Sequence, residues 1–134
     1  MSTIGEAARR SGVHVETIRY YERSGVVPRP ARTASGRRDY AEANIRRLGF
    51  IRRCRDMGFP LTDARRLAAL TADAHANCPD AQAVAEAHLG ALRARMAELR
   101  AIEAELAALV ENCSRRACPC PVLEKLEEGP DRGP

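Results

Sequence analysis

A mainly α-helical chain built in two contrasting parts is what the 134-residue sequence predicts. Three observations carry that expectation. Two short amphipathic segments flank the break Ser11-Gly12-Val13-His14, the pattern of a helix-turn-helix. From Pro79 to Glu111 there is no second proline and only one glycine, Gly90, so this run reads as a single long helix. Three of the five cysteines then crowd into residues 113–120.

The first helix is expected over residues 4–10, opened by the Thr3/Glu6 spacing of a capping box, with Ile4, Ala7 and Ala8 on one face. The second, residues 15–23, turns Val15, Ile18 and Tyr21 or Tyr20 inward, Tyr21 being the better core residue. His14 stands where a helix cap belongs. Turn formers dominate residues 25–40 (Pro28, Pro30, Thr33, Ser35, Gly36), so Val26-Val27 and residues 38–40 are expected as short strands of a wing around a basic loop. A third helix follows over residues 41–57. Its inward face is Ile45, Leu48, Ile51 and Cys54, which makes Cys54 a core thiol, and Gly58-Phe59-Pro60 stops it. A fourth, residues 61–70, carries Leu61, Ala64, Leu67 and Ala68.

The front domain therefore covers residues 1–70, with the helix-turn-helix at about 4–23 and the wing at about 25–40. Residues 71–78 read as a linker, His75 included, and residues 79–111 as the long helix. A thiol-bearing loop and short helix occupy residues 112–126, with Val122, Leu123 and Leu126 expected to pack back, and 127–134 form a tail.

Charge separates the two parts as well. Residues 1–60 hold 13 arginines against 6 carboxylates, a surplus of +7, whereas residues 61–134 hold 9 cations against 12 acids, or −3. A basic front implies a polyanionic partner there. Aromatic content of 4% without tryptophan argues against a sugar or aromatic-ligand cleft. No run of 18 apolar residues exists to span a membrane, and the N-terminus lacks the pattern of a signal peptide, so a cytoplasmic location is expected. An odd number of cysteines in a reducing compartment favours metal or redox use over disulfides. No acid–base pair, phosphate-cradling loop or nucleophile–histidine array is present, so no enzyme is expected.

Written in sevens, the long helix places Ala85, Leu92, Leu99 and Leu106 in one column and Leu89, Met96 and Val110 in its companion, with Glu103 the misfit beside Ile102. This is the seam of a two-stranded coiled coil. Seven residues before Ala85 stands Cys78, and seven after Leu106 stands Cys113. Within one chain they lie roughly 50 Å apart and cannot share an ion. Two copies paired antiparallel set Cys78 of one beside Cys113 of the other and create two equivalent sites, whereas a parallel pair joins like with like. Spacing alone leaves both open, although only the antiparallel pair brings Cys78 to the loop holding Cys113, Cys118 and Cys120. Convergent thiolates suit Zn(II), Cd(II), Pb(II), Hg(II), Cu(I) or an iron–sulfur cluster and exclude Mg(II) and Ca(II). Arg115 and Arg116 are placed to offset their negative charge.

The stretch Gly12-Val13-His14-Val15-Glu16-Thr17-Ile18-Arg19-Tyr20-Tyr21-Glu22-Arg23, together with Gly36-Arg37-Arg38-Asp39-Tyr40 and Met57-Gly58-Phe59, closely resembles the DNA-binding domain of the MerR family. The likeness runs over about residues 3–126, and Cys78, Ala85-Glu86, Met96-Ala97-Glu98-Leu99, Leu109-Val110 and Cys113 fall as in the mercury-resistance regulators of that family. The resemblance implies a winged helix-turn-helix followed by an antiparallel coiled-coil dimerisation helix. It implies a trigonal Hg(II) site made by Cys78 of one subunit with Cys113 and Cys120 of the other, and Cys118 is a possible extra ligand.

The same resemblance implies a homodimer on a palindromic promoter operator, lying between promoter elements spaced too far apart for RNA polymerase. Occupied metal sites would then shift the DNA-binding domains, bend and untwist the operator, and turn repression into activation. Thr17, Arg19 and Tyr20 are the candidate base or phosphate contacts, while Arg37 and Arg38 in the wing are expected to grip phosphates, which position without reading sequence. A Cd(II), Pb(II) or Zn(II) sensor of the same build is the nearest alternative, and a thiol-redox or iron–sulfur switch a more distant one.

Overall fold

The computed structural model describes residues 2–114 and 119–128, the side chain of Ser114 excepted. Its contacts divide the chain into two units, residues 1–86 and 87–134. The first holds α1 (Ile4–Ser11), α2 (Val15–Arg23), the hairpin β1 (Ala31–Arg32) and β2 (Arg38–Asp39), α3 (Glu42–Asp56), α4 (Leu61–Leu70) and a 3₁₀ turn at Thr71–Asp73. Helix α5 (Cys78–Ser114) begins there and continues into the second unit, which ends with α6 (Pro121–Glu127).

In the first unit the periodicity of each helix is cashed out as core. Ile18, Leu48 and Ile51 are fully buried, and Ala7, Tyr21, Ile45, Cys54, Phe59, Ala64 and Ala68 close around them. Each such aliphatic side chain contributes about 1.5–3 kcal/mol through removal from water. The turn of the helix-turn-helix rests on Gly12, whose φ of 77° is open to glycine and which donates its N–H to the Ala8 carbonyl at 2.9 Å. Two arginines then hold the C-terminal ends of α1 and α2. Arg52 of α3 donates to the Gly12 carbonyl, and Arg65 of α4 donates to that of Gly25 at 3.1 Å. Cations at these ends also meet the negative pole of each helix.

Several expectations need correction. The Val26-Val27 pair is not a strand. Both residues are buried, and both N–H groups donate to the Tyr21 carbonyl, at 2.9 and 3.3 Å, so the helix end consumes the donors a ladder would need. The first strand lies later, at Ala31–Arg32, while the second falls within the expected residues 38–40, pairing Ala31 with Asp39 and Arg32 with Arg38 around a turn in which Gly36 donates to the Thr33 carbonyl at 2.9 Å. Of the capping box at α1, the Thr3 half is observed, its Oγ1 accepting from the Glu6 N–H at 3.2 Å. His14 occupies the cap position of α2 but through its carbonyl, which accepts from the Ile18 N–H, and without a side-chain capping bond. The supposed linker is partly helical, and α5 opens at Cys78 itself, the Asn77 carbonyl accepting from the Ala81 N–H at 3.0 Å.

The second unit is built the other way round. Leu89, Leu92, Met96, Leu99, Ile102, Leu106 and Val110 are all between 41 and 58% exposed. On α6, Val122 is half-buried, but Leu123 and Leu126 are 61 and 75% exposed and do not pack back as expected, their face of the helix being left to solvent. Lys125 of α6 lies 3.7 Å from Glu105 of α5 at the surface. Among the described residues no helix is long and apolar enough to cross a membrane.

Candidate nucleic-acid interface and metal centre

Helix α2 turns Ile18 and Tyr21 into the core, which leaves Arg19 and Tyr20 outward and Thr17 half-buried on its flank. The Arg19 guanidinium is held 2.7 Å from Glu16, one turn back on the same helix. Beside it opens a cleft lined by Thr3, Ile4, Arg19, Arg32, Gly36, Arg37 and Arg38. Four guanidinium groups around one concavity suit a phosphate backbone. Thr33 braces the wing turn, its Oγ1 accepting from the Arg37 N–H at 3.2 Å and meeting Ser35 Oγ at 2.9 Å, while Arg32 donates to the Gly36 carbonyl.

Two participants escaped the sequence reading. Arg32 lines the cleft with the three expected arginines, and its clue is its position directly opposite Arg38 across the hairpin. Glu22 is the greater surprise. Its carboxylate, on α2, is buried, with the Tyr40 hydroxyl donating to Oε1 at 2.5 Å and the Arg38 guanidinium 2.7 Å from Oε2. The second contact is an ion pair and not an aligned hydrogen bond. Burial, with the neighbouring carboxylate, pushes the Tyr40 hydroxyl up to about 12. Arg38 therefore has part of its guanidinium committed inward.

The thiols fall at helix ends. Cys78 is exposed and begins α5, Cys113 is its penultimate residue, and Cys120 occupies the cap position of α6. The sulfurs of Cys113 and Cys120 lie 3.6 Å apart. The backbone N–H of Leu123, helped by the Cys113 thiol and the N–H of Val122, holds the Cys120 thiol below its ordinary range. A lowered thiol is readily available as thiolate, the form that binds metal. Cys118, Arg115 and Arg116 lie outside the described residues. Among the described residues, no three His, Cys, Asp or Glu side chains of this chain converge as a metal site. Cys54 is buried in the core, and burial pushes its thiol up, as befits an inert packing residue.

Family comparison agrees with the DNA-binding reading of the front unit. Residues 2–70 match the MerR HTH family regulatory protein, and residues 45–109 match the family described as MerR, DNA binding. The chain belongs to the MerR family of helix-turn-helix transcription regulators. It is accordingly a DNA-binding regulator and not an enzyme.

Its relatives include the HTH-type transcriptional regulator HmrR of Rhizobium leguminosarum bv. viciae, 39% identical over 127 residues, covering 94% of this chain and 98% of that protein. The mercuric resistance operon regulatory protein of Bacillus cereus is 36% identical over 125 residues, covering 92 and 95%. A solved structure, the transcription regulator PbrR691 from Ralstonia metallidurans CH34 in complex with lead(II), superposes with a TM-score of 0.78 at 38% identity, covering 94% of this chain and 99% of that one.

Proposed function

We propose that this metal-responsive regulator is a homodimer that senses Hg(II) and controls a mercury-resistance operon by distorting promoter DNA. Residues 1–70 form its DNA-binding domain, 71–77 the connection, α5 the antiparallel dimerisation helix, and the end of α5 with the following loop and α6 the metal-binding segment. Cys78 of one subunit joins Cys113 and Cys120 of the other, with Cys118 available as a further ligand.

The observation that carries this reading is the pair of sulfurs 3.6 Å apart at Cys113 and Cys120. Two adjacent soft donors fit a thiophilic ion, and they are one short of a trigonal set. Cys78, exposed on the first turn of the helix that carries the seam, is the natural third. When bound, a soft divalent ion supplies thiolate bonds between two subunits.

The protein's own part is to make those bonds depend on conformation. Thiolates from two helix ends close together in only one arrangement of the subunits, so occupancy favours that arrangement in proportion to the difference in affinity. Thr17, Arg19 and Tyr20 in the major groove, with Arg37 and Arg38 on the flanking phosphates, carry the change to a palindromic operator. Bending such DNA costs about 1–6 kcal/mol, a size that differential thiolate binding covers. RNA polymerase, at a promoter with overlong spacing, then meets aligned promoter elements in the cytoplasm.

Pb(II) is the second reading, favoured by the likeness to the lead(II) complex of PbrR691. A promoter-reporter titration with Hg(II), Pb(II), Cd(II), Zn(II) and Cu ions separates the two. The expected result is induction at the lowest concentration by Hg(II). Cys78→Ser, Cys113→Ser and Cys120→Ser should each abolish induction while leaving operator binding intact, and an unchanged induction curve in any of them contradicts the assigned ligand set.

A further inference from the structure

Glu22 has no place in the roles described so far. It sits on the helix that faces DNA, yet its side chain is only 1% exposed. A lone buried carboxylate is costly, and an acid near a phosphate backbone is repelled, so its retention calls for partners. Both partners belong to the other DNA-facing element. Arg38 is a residue of β2, and Tyr40 follows that strand directly. Tyr40 is buried, and its N–H donates to the Ser2 carbonyl at 2.9 Å, so its hydroxyl is presented to Glu22 from a fixed backbone.

Apart from Glu22, the N-terminal segment holds the base of the wing, Ser2 donating its N–H to Asp39 Oδ1 at 3.2 Å. Its strands are two residues each, and the bonds of Thr33, Ser35, Gly36 and Arg37 described above are internal to the hairpin. A hairpin of that length is marginal unless something packs on it. We propose that Glu22 is a positioning residue for DNA binding: through Arg38 and Tyr40 it sets the wing at a fixed distance from α2, so that Arg37 and the outward residues of α2 engage the duplex together. Arg38 thereby anchors the wing through the part of its guanidinium turned to Glu22, besides its phosphate contact, while Arg37 serves as a phosphate contact alone.

The inference rests on α2 and the wing both touching the operator, and the test separates the two claims. A duplex is first selected by the wild-type dimer from a random-sequence pool. If no duplex is selected, the DNA-binding reading fails, and this one with it. On the selected duplex, Glu22→Gln makes the protein more positive by one charge while keeping the size of the side chain.

Electrostatics alone would then tighten binding. A lost anchor weakens it by about ten-fold and makes the salt dependence shallower by about one ion, the share of one phosphate contact. Phosphate-ethylation interference should disappear at the phosphates covered by the wing and persist at those covered by α2, a split that general unfolding would not give. Arg38→Gln should weaken binding to a similar extent, and the double variant little more than either. Because Glu22 is buried, the folded fraction is checked by circular dichroism at the assay temperature. Equal or tighter binding by folded Glu22→Gln, or uniform loss of interference at all phosphates, overturns the proposal.

Discussion

The two units of this chain use the same residue types for opposite ends. In residues 1–86, leucines, isoleucines and valines such as Ile18, Leu48, Ile51 and Val27 are buried, and polar bonds tie the helices together. From residue 87 onward, seven large apolar residues on one helix stand at least 41% exposed. An apolar stripe that long is unstable in water by itself. The contrast teaches that the front has a core of its own, whereas the rear leaves its apolar stripe uncovered, as the proposed pairing with a second copy requires.

Sequence reasoning reached much of this. Helices α2 and α4 lie where the pattern put them, and Ile45, Leu48, Ile51 and Cys54 all point inward, because a strong period of 3.6 leaves few alternatives. Only the first strand of the wing was misplaced, because strands of two residues have no period to detect and Val26-Val27, although β-branched, are claimed by the core. Glu22 was overlooked because an acid on a helix reads as solvated until its two partners, 16 and 18 residues away, fold onto it. Cys78 and Cys113 fall at the two ends of α5, as their heptad spacing placed them, but the exposure of Leu123 and Leu126 was not legible, since periodicity shows an apolar face without showing what covers it.

The comparison can be broken at either end. Leu99→Arg places a charge in the middle of the seam and should cost the dimer about 3–5 kcal/mol. Sedimentation should then show monomers that retain the α-helical signal of the front unit, and an intact dimer would contradict the seam. Ile18→Ala acts on the other unit, opening a cavity worth about 2–5 kcal/mol, seen as a lower urea midpoint with the oligomer unchanged. A stability unchanged by that substitution would mean that the front core has been misjudged.

A smaller effect sharpens the account of the wing. Tyr40→Phe removes one donor to Glu22 and should cost about 1 kcal/mol at neutral pH. In the wild type the Tyr40 hydroxyl has its pKa raised from 10.0 to about 12 on folding. Its contribution is therefore complete below pH 10 and is lost as pH rises through about 12. Denaturation at alkaline pH should show that decline in the wild type and not in Tyr40→Phe, and identical pH profiles would contradict the buried hydroxyl–carboxylate contact.

The most direct test of the whole account joins two crippled subunits. Cys78→Ser is co-expressed, under a different affinity tag, with a Cys113→Ser, Cys120→Ser double variant, and the mixed dimer is isolated by both tags. Sites assembled across antiparallel subunits predict one intact trio of thiols in the mixed dimer, giving half the wild-type three-thiolate charge-transfer absorbance on titration with Hg(II) or Pb(II), while neither parental dimer gives any. A mixed dimer as silent as its parents would show that the sensing thiols do not meet across the seam.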